Sequence, residues 1–186
     1  MKLKDFISTT FNNVRSSKRT EILNEAVLEY LYDQRHDLVN YDVKYEYKIP
    51  DSWGGTFKVD IAFLHNGLVK IVALCKAPNS NINKNIKNYA NTTIGEASRI
   101  YCIDNHIHEV IFVTVLPEKA PQFDTDGVVK GLDNVVSVKK YANISNVIEA
   151  QYNGRVKLID IWYKIPNIES RTNRKDYANF TPITSW

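Results

Sequence analysis

An α/β protein, with a mixed sheet flanked by helices, is the fold class this sequence predicts, on three observations. An amphipathic helix is followed by three β-rich runs, and the second and third of these are joined by an Asn66-Gly67 pair. A second helical stretch then leads into Glu109–Leu116 (EVIFVTVL), a nearly unbroken apolar run of the kind that is buried on both faces of a sheet.

The elements follow in order. Ile22, Leu23, Ala26, Val27, Tyr30 and Leu31 recur at helical spacing and predict a helix over Ser17–Arg35, with Ser16 or Ser17 able to cap it. Tyr41–Ile49 (YDVKYEYKI) alternates apolar and polar residues, as a strand with one wet face does. The cluster IPDSWGGT is a turn, and Phe57–Leu64 is the next strand. His65-Asn66-Gly67 forms a tight hairpin into Leu68–Ala77, since Asn-Gly accepts the left-handed angles that such turns need. Pro78 ends that strand. Ile86, Tyr89, Ala90, Ile94, Ala97 and Ile100 predict a helix over Ile82–Cys102. Beyond Pro117 the pattern weakens into a loop (PEKAPQFDTDG). Asn134–Lys139 and Val147–Lys164, the latter broken at Asn153-Gly154, predict a second hairpin, and Asn167–Trp186 reads as irregular. The expectation is one domain over 1–186, with a core of about 17–116 and a C-terminal β extension and basic tail over 117–186.

Composition narrows the classes without naming a function. The chain has 186 residues, and 24 Lys and Arg against 21 Asp and Glu leave a net charge of +3. A domain of that length removes roughly 70% of its unfolded surface from water, enough for a core without staples. The apolar share of 44% and the charged share of 24% exclude disordered, coiled-coil, collagen and disulfide-scaffold classes. No run reaches the roughly 18 apolar residues of a membrane span, and no apolar stretch follows the basic start as in a signal peptide. Cys75 and Cys102, set in apolar sequence, read as free thiols of a reducing, cytoplasmic compartment. No glycine-rich phosphate loop or dinucleotide fingerprint is present. His106 and His108 fall in a turn with no third ligand nearby, which argues against zinc.

The chemistry-bearing pair lies on the central hairpin. Asp60 stands mid-strand between Val59 and Ile61, and Lys76 closes the returning strand; Val72, Leu74 and Lys76 share one face, with Ala73 and Cys75 on the other. One reading is a cross-strand ion pair worth about 0.2–1 kcal/mol. The other is phosphodiester cleavage, which needs carboxylates to hold Mg²⁺ and a cation near the attacking water.

The order helix, three strands, helix, strand, together with Asp60 in FKVDIAF and Lys76 in VALCKAP, resembles the PD-(D/E)XK nuclease superfamily, whose restriction-endonuclease-like core is αβββαβ. The resemblance implies a metal-dependent endodeoxyribonuclease. Asp60 would be its metal-binding aspartate, Lys76 its motif lysine, and the backbone carbonyl of Cys75 a further metal ligand. Glu25 would be the first-helix glutamate, with Glu21 the other candidate one turn away. It also implies Mg²⁺ as cofactor, with Mn²⁺ as substitute, DNA as substrate, and a homodimer matched to a two-fold symmetric target.

The departure is Leu74, which stands where the motif acid belongs and cannot bind a metal ion. The chain is then a degenerate member that keeps the fold for binding DNA, a member whose acid is supplied by Glu96 or Glu25, or an inactivated variant of an active enzyme; alternatively Pro50-Asp51 is the true motif. Glu96 with Arg99 at i+3 also fits a surface ion pair. Lys84, Asn85, Lys87 and Asn88 occupy the segment where the family's DNA-facing loop falls. Lys2, Lys4, Arg15, Lys18 and Arg19, and the tail Arg171, Arg174 and Lys175 with Tyr177, Phe180 and Trp186, add basic clusters suited to phosphate contacts.

Overall fold

The computed structural model describes residues 2–12, 17–51, 54–101, 106–135 and 146–184. Arg15, Cys102, Trp186 and most of the expected strand Asn134–Lys139 lie outside them. Helix α1 (Lys2–Ser8), which nothing in the sequence announced, precedes α2 (Ser17–Gln34). Then come β1 (Asp42–Pro50), β2 (Thr56–His65), β3 (Leu68–Lys76), α3 (Ile82–Tyr101) and β4 (Glu109–Pro117), each within two residues of its predicted bounds.

The remainder departs from expectation. The stretch read as loop contains β5 (Lys119–Phe123), which pairs with β6 (Val129–Asn134) in a separate two-stranded sheet. Residues 146–151 are a helix, α4, not the first half of a hairpin. Ile148 and Tyr152, one helical turn apart, are buried against the sheet, and that i, i+4 spacing outweighs the β-branched pair Val147-Ile148. The turn at Asn153 (φ 51°) and Gly154 (φ 74°) then feeds β7 (Val156–Lys164).

The main sheet has six strands in the order β1-β2-β3-β4-β7-β8, where β8 is Ile183–Thr184. β1, β2 and β3 are antiparallel, β3 to β4 and β4 to β7 are parallel, and β8 closes the edge antiparallel to β7. The β2–β3 turn has both central residues left-handed, Asn66 at φ 52° and Gly67 at φ 75°, as the Asn-Gly pair predicts.

Helices cover both faces. On one, Ala26, Val27 and Leu31 of α2 are fully buried with Ile61, Phe63 and Ala73; each large side chain so placed contributes about 1.5–3 kcal/mol. On the other, Ala97 and Ile100 of α3 pack with Val72, Leu74 and Phe112. Asp133 of β6 caps α3 by accepting the Asn83 N–H at 3.1 Å. The C-terminal segment wraps the α2 face and carries two 3₁₀ turns. Its aromatics are core: Tyr177 and Phe180 are buried, and Phe11 lies 5.0 Å from Tyr177. Arg171 lies over the Tyr177 ring and Arg174 over Phe123, so both side chains are engaged within the fold. Among the described residues no helix is long and apolar enough to cross a membrane.

One irregularity positions the site. Residues two apart on a strand should share a face. Val59 instead packs on the α3 face and Ile61 on the α2 face. The partner strand flips at the same place: Tyr47 packs on the α3 face, whereas Tyr45 lines a cleft beside α2. Tyr45 pairs with Ile61 and Tyr47 with Val59, which sets Glu46 opposite Asp60 at the flip. Glu46 has a φ of 51°, a left-handed conformation unusual for a side chain other than glycine, and this turns the strand over.

Candidate functional site

Asp60 sits where β2 and β3 part. Their ladder runs from the hairpin to Ile61–Ala73. One step further, the Cys75 N–H donates to the Asp60 Oδ2 at 2.7 Å, so a side-chain carboxylate replaces the next carbonyl of the ladder. The carboxylate lines an open cleft of about 540 Å³ between α2 and the β1–β2 edge, shared with Thr20, Glu21, Asn24, Glu25, Tyr45, Glu46 and Lys58. Burial pushes the Asp60 carboxyl up to about 6. The Cys75 N–H opposes that shift, Glu46 and Glu96 add to it, and Lys76 opposes it. A carboxyl raised by burial beside other charged groups is common at functional sites.

Lys76 is half-buried on the α3 face, its Nζ 2.6 Å from Glu96 Oε2 and 6.0 Å from the centre of the Phe112 ring. Sheet and α3 thus bring together Lys76 and Glu96, and both act electrostatically on Asp60. The cross-strand Asp60–Lys76 ion pair is replaced by these separate partners. Glu96 does not pair with Arg99 as the i+3 spacing allowed. Arg99 instead pairs with Asp51, whose side chain is 3% exposed, and lies 4.7 Å over Phe57. Asp51 also accepts the Gly55 N–H at 3.2 Å. It therefore ties the β1–β2 turn to α3 and does not line the Asp60 cleft.

Leu74 is 4% exposed and packs on the α3 face, a core side chain at the position of the missing acid. Glu25 lines the cleft and pairs with Lys2 at 3.5 Å; Glu21 lines it too. Cys75 is a free thiol, and burial raises it well above its ordinary value, which suits a packing role. On α3, Lys84, Lys87 and Asn88 are exposed, while Asn85 is half-buried and donates to the Asn81 carbonyl at 2.9 Å. Arg19 is taken out of the phosphate-contact set: it donates to the Ala77 carbonyl at 2.6 Å and to Thr10 Oγ1 at 3.1 Å.

Sequence reasoning missed Glu46, Asn24 and Lys58. Glu46 looked like one more polar residue on a wet strand face. Asn24 occupies a helix position between Leu23 and Glu25 and is 1% exposed. Its Nδ2 faces Glu46 Oε1 and the Asp60 carbonyl, each at 3.5 Å, and Lys58 pairs with Glu46. Among the described residues no three His, Cys, Asp or Glu side chains form a ready-made metal cluster. No protein-family model and no curated protein matches this sequence.

Proposed function

We propose that the chain hydrolyses phosphodiester bonds of DNA with Mg²⁺, or Mn²⁺ in its place, as a nuclease of the PD-(D/E)XK type. The observation that carries this reading is Asp60: a carboxylate lifted out of a sheet ladder at the wall of an open cleft, with the charges of Lys76 and Glu96 reaching it from the α3 side of the sheet. The donor set fits a hard cation, because the polar groups lining the cleft are oxygens apart from Lys58 and the Asn24 amide nitrogen, and Mg²⁺ takes one or two carboxylates and keeps several waters. Four carboxylates here (Glu21, Glu25, Glu46, Asp60) would repel a polyanion, and a divalent ion together with Lys58 offsets most of that charge. When bound, the cation would polarise the scissile phosphate and lower the pKa of a water. Asp60 would hold it, Lys76, whose charge reaches Asp60 from the α3 side, would offset charge building on the phosphate, and Glu96 would position the Lys76 ammonium through the 2.6 Å contact. Exposed Lys84, Lys87 and Asn88 would meet the DNA backbone from the first half of α3, with Asn85 beside them. A homodimer and a cytoplasmic location belong to the same reading.

A second reading, an inactive DNA-binding module on this fold, is favoured by buried Leu74 at the acid position and by Glu96 neutralising Lys76. Incubation of the protein with supercoiled plasmid separates the two. The nuclease reading expects cleavage that needs Mg²⁺ or Mn²⁺, stops with chelator, and falls by about 100-fold or more in Lys76→Met. Salt-sensitive DNA binding without cleavage under either cation would leave the binding module in its place.

A further inference from the structure

We infer that Glu46 and Asn24, rather than Glu96, complete the divalent-cation site at Asp60, with the Glu46 carboxylate as the second charged ligand and the Asn24 side-chain carbonyl as the neutral one. The inference rests on the reading of Asp60 as a cation ligand and supplies the acid that Leu74 does not.

Position is the first argument. Glu46 lies opposite Asp60 where both strands change face, and both residues line the same cleft. Glu96 lies on α3 with its carboxylate against the Lys76 ammonium, so it is already matched by a cation on the other side of the sheet. The second argument is an atom without a partner. Asn24 is 1% exposed and lines this cleft; its Nδ2 faces Glu46 and the Asp60 carbonyl, each at 3.5 Å, and its Oδ1 accepts from no donor among the described residues. A half-turn of the amide would bring that orphaned oxygen to the two acceptors, where a cation satisfies all three. A buried amide oxygen without a donor is costly in a folded protein, and a hard cation is the ligand that satisfies an oxygen of this kind. Glu46 has oxygens to share: Oε1 faces Asn24, and Oε2 meets exposed Lys58, an ammonium that a divalent ion can displace. The left-handed backbone at Glu46 then has a use. Glycine would adopt it more readily, yet glycine carries no carboxylate.

Calorimetric titration of Mn²⁺ into the full chain tests this independently of any cleavage. Glu46→Gly keeps the backbone its preferred angles, so the fold is expected to survive and the melting midpoint to hold or rise. Its Mn²⁺ affinity should fall by about tenfold or more, that of Asn24→Leu by several-fold, and that of Glu96→Gln by less than about twofold. Wild-type affinity in Glu46→Gly or in Asn24→Leu, a large loss in Glu96→Gln, or no Mn²⁺ binding by the parent chain would overturn the assignment. A chain that binds Mn²⁺ through Glu46 but leaves plasmid intact would retire the nuclease reading while this site stood.

Discussion

Asp60→Asn should abolish cation-dependent cleavage and, in cation-free solution at neutral pH, make the protein more stable by on the order of 2–3 kcal/mol. The unfolded aspartyl titrates near its ordinary 3.8, whereas the folded carboxyl titrates at about 6, mainly because it is buried. Between those values the folded chain holds more protons than the unfolded one, so stability falls as pH rises through that window and stays low above it. The asparagine has nothing to ionise and keeps an oxygen for the Cys75 N–H, so its stability should be flat across the same window. Urea unfolding at a series of pH values reads the effect directly. The two proteins should converge near pH 4, about the pKa of an unperturbed aspartyl, and diverge above it. An Asp60→Asn protein less stable than the parent at neutral pH would show that the carboxylate serves the fold, in keeping with a structural role and against a cation ligand.

Arg99→Met should cost about 3 kcal/mol, in the range found for breaking buried ion pairs. The guanidinium is the charge partner of Asp51, whose carboxylate is almost wholly buried, and it covers the Phe57 ring. Removing it leaves a buried carboxylate without its guanidinium and loosens the tie between the β1–β2 turn and α3. Asp51→Asn in the same chain should recover part of the loss, since the buried negative charge is then gone. Denaturant midpoints of the single and double variants check this. A loss below about 1 kcal/mol would place the pair among surface ion pairs of little consequence.

The parts of the fold that were readable in the sequence are those with local causes. The β2–β3 hairpin follows from Asn66-Gly67, and α2 from a stripe of apolar residues one turn apart. β4 follows from an apolar run too continuous for a half-exposed strand. What escaped has non-local causes. β5 is five residues whose only signal is its pairing with β6 across a turn. α4 carries a β-branched pair, and the faces it must cover decide its state. Tyr177 and Phe180 look like a basic tail's aromatics until the chain returns them to the α2-face core.

The site divides in the same way. Asp60 and Lys76 were legible from their strand positions, and Glu96 was legible as a candidate, although its partner was not: Arg99 is nearer in sequence, while β3 delivers Lys76 in space. Glu46 was invisible because a glutamate is an unremarkable residue on the wet face of YDVKYEYKI. Only the left-handed angle and the change of face on both strands single it out.

A divalent ion binding at Asp60, where β2 and β3 separate, is the step on which the proposed chemistry depends. Titrating Mn²⁺ into the isotopically labelled chain and following paramagnetic broadening of its amide signals tests this most directly. The signals of Glu46, Asp60 and Cys75 should disappear first, and they should persist when Asp60→Asn is titrated in the same way. Broadening that begins elsewhere in the chain, or that is unchanged in the variant, would contradict the account.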